Sequence, residues 1–293
     1  MQGKTQFNVG VDGGGTKCRA EIFDNKGSAL GAGIGGPANV ARVGEKATGS
    51  IVDAVTRAIE DAGLAGRVLL SQCRVSAGLA GATVEAARQM LDQWRHPFAT
   101  FSFITDLHAA VVGAHGGKKG AVMVVGTGSC TASYAHDKVQ QYGGHGFTLG
   151  DKGSGAWLGC EAVKATLEAL DGVAPSSALT QAVCEFYDAY STGEFVNKLN
   201  NGLPAEFARV APLVFEFATR QDPIAGDLVH RAASYLSAIA ERALSDCEGN
   251  LVLIGGLSEL VRPYLNARVQ RAIVPAQFGP EWGAVLLDSM RVQ

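Results

Sequence analysis

The segment Asp12-Gly13-Gly14-Gly15-Thr16-Lys17 puts a carboxylate, three glycines, a hydroxyl and an amine into six residues after a short apolar run. Three glycines in a tight turn leave backbone N–H groups unshielded, and consecutive N–H groups make a seat for an anion. Thr16 adds a hydroxyl donor and Lys17 a positive charge. A carboxylate such as Asp12 beside a phosphate seat makes sense when Mg²⁺ sits between them, usually through water. A plain hairpin turn would explain the glycines but not Asp12 and Thr16 together. Gly126-Thr127-Gly128-Ser129 repeats the device in the second half of the chain, and two facing turns of this kind imply a triphosphate held across a cleft. Gly255-Gly256-Leu257-Ser258 follows the apolar run Leu251–Ile254 and opens a helix at Ser258. Bare backbone at such a strand-to-helix turn lets a flat group, read as adenosine, lie close; a βα turn with no ligand is the alternative. At Thr105-Asp106 a strand again meets a helix. Asp106 is there either a helix N-cap, which Asp favours, or a general base for an attacking hydroxyl.

Other motifs carry less. Gly31-Ala32-Gly33-Ile34-Gly35-Gly36 matches GxGxxG, but a dinucleotide site needs a helix directly after it, and Pro37 and Asn39 promise none. Residues 113–119 lack Walker A spacing. The six cysteines, Cys18, Cys73, Cys130, Cys160, Cys184 and Cys247, form no CxxC pair. They read as small buried hydrophobes of a reducing compartment.

The elements that must position these turns follow from periodicity. Strands are expected at 7–11, 18–23, 28–34, 73–77 and 101–104, with helices at 45–62, 83–94 and from Asp106 on. The pattern then restarts. Strands at 121–125 and 131–135 flank the second glycine turn, 155–248 is mostly helical, and its last helix spans about 223–247. The opening NVGVDGGGTKCRAEIFD aligns by eye with VMVVGTGSCTASYAHD at 122–137, which suggests two similar α/β halves. The expected domains are 1–112 and 113–279, with the closing helix 280–293 a candidate to complete the first.

Composition supports a globular chain. Among 293 residues 38 are glycine, apolar residues make 47% and charged ones 18%, against about 7% glycine and about 25% charge in average proteins. Disorder is excluded by the apolar content and collagen by the aperiodic glycines. The net charge of −3 and the lack of a Lys/Arg run argue against a nucleic-acid partner. With no signal-peptide-like start and no 18-residue apolar stretch, the expectation is no membrane partner and a cytoplasmic protein.

Taken together, the motifs resemble those of the superfamily of actin, heat-shock ATPases and sugar kinases, and within it the N-acetylglucosamine kinase branch, the BadF/BadG-type ATPase family. The likeness rests on Asp12-Gly13-Gly14-Gly15-Thr16, Thr105-Asp106, Gly126-Thr127-Gly128-Ser129, Gly143-Gly144-His145-Gly146 followed by Leu149-Gly150-Asp151-Lys152-Gly153-Ser154, and Gly283-Ala284 near the C-terminus. The resemblance implies an α/β fold of two ribonuclease-H-like (actin-like ATPase) domains with ATP in the interdomain cleft, and commonly a homodimer. It implies transfer of the ATP γ-phosphoryl to a hexose 6-hydroxyl, with ATP and Mg²⁺ required. On its pattern Gly13, Gly14, Gly15, Thr16, Lys17, Gly126, Thr127, Gly128, Ser129, Gly255, Gly256 and Ser258 bind ATP. Asp106 is the base and a sugar contact, and Asn39, Gly144, His145, Gly146 and Asp151 touch the sugar. Asp151 is open between sugar hydroxyls and Mg²⁺. His145 stands where the mammalian enzyme has tryptophan, which leaves recognition at the sugar's C2 open. The expected substrate is N-acetylglucosamine, with glucosamine as the alternative. Less favoured is an ATP-hydrolysing activator of an acyl-CoA dehydratase, whose iron–sulfur cluster would need cysteines such as Cys130 and Cys160. The zinc motif of ROK-type sugar kinases is missing.

Overall fold

The computed structural model describes residues 7–24 and 26–291. Asn25 of the first expected turn, residues 1–6 of the expected first domain and the last two of the closing helix lie outside them. The described chain divides into two compact units. One holds the residues up to Gly120 together with Tyr134–Val139 and those from Pro275 on; the other holds Ala121–Ser133 and Gln140–Val274.

The first unit is built on β1 (Phe7–Gly13), β2 (Cys18–Phe23), β3 (Ala29–Gly35), α1 (Val40–Val43), α2 (Lys46–Asp61), β4 (Cys73–Leu79), α3 (Glu85–Asp92), β5 (Thr100–Thr105) and α4 (Asp106–Ala114). Its sheet runs β3-β2-β1-β4-β5. β1 pairs antiparallel with β2 and parallel with β4, and β4 is parallel with β5. Val9, Val11, Ala20, Ile22, Val75 and Ala77 fill the buried sheet positions. Against them α2 lays Ile51, Ala54, Val55, Ala58 and Ile59, each larger side chain contributing about 1.5–3 kcal/mol by burial.

The false dinucleotide motif has a packing explanation. Gly31, Gly33 and Gly35 alternate on β3, and a Cβ on Gly33 or Gly35 would lie 2.1 Å from the carbonyl oxygen of Ala54 or Ser50. The glycines admit the α2 backbone against the strand. A one-turn helix, α1, does open after the motif, contrary to expectation, because Asn39 caps it. The helix expected at 83–94 is shorter, Glu85–Asp92, and begins after Val84, which offers no side-chain cap.

The second unit follows with β6 (Gly120–Val125), β7 (Ser129–Ala135) and β8 (Lys138–Gly143). Helices α5 (Gly155–Leu170), α6 (Ala178–Tyr187), α7 (Thr192–Leu199), α8 (Pro204–Ala208), α9 (Ala211–Thr219) and α10 (Pro223–Cys247) come next. β9 (Leu251–Ile254), α11 (Ser258–Val261) and α12 (Ala267–Ala272) complete it. The sheet order is β8-β7-β6-β9, the same third-second-first-fourth order as in the first sheet. A single parallel bridge from Leu251 to Ile273 stands where a fifth strand would pair. The β7–β8 turn puts His136 and Asp137 at φ 51° and 58°, the backbone of a two-residue hairpin turn. α13 (Pro280–Arg291) belongs to the first unit. Two α/β sheets of like order, each bearing a glycine turn after its first strand, agree with the α/β fold class expected from the sequence.

Candidate active site

In the first unit β1 extends two residues beyond its apolar run. Asp12 pairs with Arg19 and Gly13 with Cys18, so the turn proper is Gly14 to Lys17, closed by the Gly14 N–H donating to the Lys17 carbonyl at 3.0 Å. The Gly14 amide is therefore spent on the turn, and the exposed Gly15, Thr16 and Lys17 remain for an anion. None of Gly13, Gly14 or Gly15 has positive φ; clearance, not backbone conformation, is what they supply. A Cβ on Gly13 would lie 2.5 Å from Leu79 Cδ2, whereas one on Gly15 would meet nothing within 4 Å.

Two hydrogen bonds tie neighbouring loops to this turn. The Ala38 N–H donates to the Gly14 carbonyl and the Ala80 N–H to the Gly13 carbonyl, both at 2.9 Å. Asn39 thereby stands beside the Asp12 turn. Its Oδ1 caps α1 by accepting from the Arg42 N–H at 3.2 Å, which leaves the amide nitrogen for another partner.

Thr105, not Asp106, holds the capping position of α4. Its hydroxyl oxygen accepts the His108 N–H at 3.2 Å and lies 2.6 Å from His108 Nδ1, making Thr105 the N-cap of α4. Asp106, the next residue, is released from capping and accepts the Leu107 N–H at 2.9 Å. Burial raises its pKa, opposed by backbone hydrogen bonds. Gly78 on β4 pairs with Asp12 on one side and Ile104 on the other, and a Cβ there would lie 3.5 Å from Asp106 Cα. The same Cβ would lie 2.5 Å from the Ala109 Cβ, so the bare glycine lets the first turns of α4 close onto β4 and brings Asp106 near Asp12, at the carboxyl ends of three parallel strands.

Asp12 is the most perturbed carboxylate here. Burial raises its pKa from 3.8 to about 7, the charges of Glu281 and Asp106 add to this, and Arg19 and Lys17 oppose it. Folding therefore favours the protonated form. Its stabilising contribution is full below the unfolded value of 3.8 and is lost as pH rises through about 7. The ligand-free protein is expected to lose thermal stability between about pH 4 and about pH 7, and Asp12→Asn to flatten that slope. A thermal-unfolding series in which the variant keeps the full slope would refute this.

Glu281 escapes a reading of the sequence. It lies in the first turn of α13 after Gly279-Pro280, a helix-start signal, but nothing local says which strand it faces. In the fold it is 3% exposed and accepts from Arg19 Nη1 at 2.7 Å.

Asp12 feels two further carboxylates, Glu281 and Asp106, and two cations, Arg19 and Lys17. Among the described residues no three His, Cys, Asp or Glu side chains converge into a ligand shell. The donor set fits Mg²⁺ held by one carboxylate through water, with the other ligands arriving on phosphates.

In the second unit Ser129 is the first residue of β7 and not part of the turn. Its buried hydroxyl donates to the Lys152 carbonyl at 2.9 Å, a tie between the turn and the following loop. The Gly126 carbonyl accepts the Gly155 N–H at 2.8 Å and the Thr127 carbonyl the Ala156 N–H at 3.2 Å, which straps the turn to α5. Gly255, at φ 107°, is seated over the end of β6; a Cβ would lie 2.3 Å from the Val125 carbonyl oxygen, and the Leu257 N–H donates to that oxygen at 3.0 Å. The two glycine turns are thus neighbours, while Gly256 stays open and exposed. Ser258 is the first residue of α11, its N–H held by the Gly255 carbonyl at 3.2 Å.

Asp151 joins this group. A Cβ on Gly128 would lie 3.0 Å from Asp151 Oδ2. Its Oδ1 accepts the Gly146 N–H at 3.2 Å, and its backbone is left-handed at φ 54°, which Asp tolerates. Burial raises its pKa, and the Gly146 bond and His145 lower it. Gly144 and Gly146 hold φ near 71° and 85°, so these two do need glycine. His145 is exposed, its Cβ against Gly150.

Three comparisons bear on this arrangement. The chain is 33% identical to a glucosamine kinase of Vibrio cholerae over 96% of this chain and 95% of that one. It is 26% identical to an N-acetyl-D-glucosamine kinase of Dictyostelium discoideum over 95% and 96%. A solved structure from Chromobacterium violaceum, described as a candidate N-acetylglucosamine kinase, superposes with a TM-score of 0.86 at 33% identity, covering 97% of this chain and 99% of that one. The family model of the BadF/BadG/BcrA/BcrD ATPases matches residues 9–287, spanning the Asp12, Asp106, Gly126 and Gly255 motifs alike, and the chain belongs to that family.

Proposed function

We propose that this protein is an ATP-dependent amino-sugar kinase that transfers the γ-phosphoryl group to the sugar 6-hydroxyl, with N-acetylglucosamine as substrate. The observation that carries the reading is Asp106: freed from capping by Thr105, half-buried, and set at the same strand ends as the Asp12 turn. Phosphoryl transfer needs positioning and charge stabilisation more than covalent help. Gly15, Thr16 and Lys17 seat phosphate oxygens in the first unit, and Gly126, Thr127 and Gly128 do so in the second. Gly255, Gly256 and Ser258 take the adenosine. Asp106 accepts the 6-hydroxyl proton as the oxygen attacks, and its raised pKa makes it the stronger base once ionised. Asn39, Gly144, His145, Gly146 and Asp151 orient the sugar. Asp12 would hold Mg²⁺ through water, and the bound ion would supply charge neutralisation at the transferring group. A homodimer and a cytoplasmic setting accompany the family reading; among the described residues no helix is long and apolar enough to cross a membrane.

A second reading, free glucosamine, is favoured by the Asp151 carboxylate in the sugar loop, which suits a 2-ammonium group, and by the name of the Vibrio cholerae relative. A coupled ATPase panel with N-acetylglucosamine, glucosamine, glucose and N-acetylmannosamine, with a no-sugar control, tests both. Sugar-stimulated ADP release with either amino sugar, and little without sugar, is the expected result. Sugar-independent hydrolysis from iron-containing protein would overturn the kinase reading in favour of an activator.

A further inference from the structure

Asp12 and Arg19 are cross-strand partners, so their side chains leave the same face of the sheet about 5 Å apart at Cβ. An arginine so placed ordinarily pairs with the aspartate. Here the guanidinium is committed elsewhere: Nη1 donates to Glu281 Oε1 at 2.7 Å and Nη2 lies 2.6 Å from Glu21 Oε1. The clamp has a backbone origin. Glu21 lies opposite Gly10. With no side chain at Gly10, the first turn of α13 drops onto β1, where a Cβ on Gly10 would be 1.9 Å from the Glu281 carbonyl oxygen. The Glu281 side chain is 4% exposed, and a carboxylate so buried demands its cation. Glu281 therefore holds Arg19 firmly, and Glu21 takes the other arm of the fork.

We propose that Arg19, clamped between Glu21 and Glu281, is a positioning residue whose diversion keeps the Asp12 carboxylate unpaired and able to hold a divalent cation through water. This rests on the reading of Asp12 as the cation residue. Without the clamp the guanidinium swings across the strand pair and occupies Asp12 itself.

The test is Mn²⁺ binding by electron paramagnetic resonance, with a non-hydrolysable ATP analogue and no sugar, alongside thermal unfolding. Glu281→Gln is expected to weaken Mn²⁺ by about tenfold, and the double variant Arg19→Gln/Glu281→Gln to return within about threefold of wild type, because the intruding cation is gone. An unchanged single variant overturns the proposal. So does a double variant as weak as the single, which would mean that the charge of Glu281 itself matters. A clamp with only a structural role lowers Tm without moving Mn²⁺ affinity. If Glu281→Gln does not fold, Glu21→Gln is expected to weaken Mn²⁺ by about threefold, and no change there also overturns the proposal. Asp12→Asn separates the premise: unchanged Mn²⁺ affinity in that variant removes the Asp12 reading, and the proposal with it.

Discussion

Asp106→Asn is expected to lower kcat by about 10²–10⁴-fold, the usual worth of a positioned general base, with ATP affinity unchanged. An amide has nearly the shape of the carboxylate, and its oxygen can still accept the Leu107 N–H. Thr105, not Asp106, caps α4, so the helix start survives the substitution. Burial penalises the ionised carboxylate, so the neutral amide leaves thermal stability equal or higher. Loss of turnover with intact or increased Tm separates a base from a structural residue. Turnover near wild type would remove Asp106 from the chemistry. In the wild type kcat/KM should climb with pH through a carboxylate value above the ordinary one, because the base must be ionised to act.

Gly10→Ala is expected to destabilise the first unit by about 1–3 kcal/mol or more, as overpacking does. The new Cβ meets a backbone carbonyl, that of Glu281, which cannot rotate away as a side chain would. Nor can α13 retreat freely. A Cβ on Gly283 would lie 2.0 Å from the Ala109 carbonyl oxygen and one on Gly113 2.2 Å from that of Gly279, so α13 and α4 are also packed backbone to backbone. Displacing α13 shifts Glu281 off Arg19 and disturbs Asp12, so nucleotide use should fall along with stability. Gly15→Ala makes the contrast. It meets no atom within 4 Å and should hold stability within about 0.5 kcal/mol while raising the KM for ATP. Denaturant midpoints and ATP titrations of the pair check this; a Gly10→Ala protein as stable as wild type would contradict the packing.

The carboxylate pair and both glycine turns were legible in the sequence because each is local. An apolar run that stops at an acid and three glycines, or an acid at a strand-to-helix junction, carries its signal within a few residues. The same holds for α2 and for α10, whose limits fall within a residue or two of those read from periodicity. What periodicity could not say is which partner a residue meets. Whether Asp106 caps the helix was undecidable from the strand-to-helix junction alone; the Thr105 hydroxyl geometry and the His108 contact show that Thr105 does so instead. Gly31, Gly33 and Gly35 match a dinucleotide motif that the sequence context already argued against, but only the packing shows them to be the floor for α2. That the Ser129 hydroxyl donates to the Lys152 carbonyl could not be read from the glycine turn beside it. Glu281 reaches Arg19 across 262 positions of chain. Local turn chemistry and hydrophobic period are set by neighbours in sequence, and so the residues alone determined the strands, the glycine turns and the acids at their ends. Pairings between distant elements depend on close packing of backbones, and only the tertiary structure decided which of those acids stay free and which are tied down.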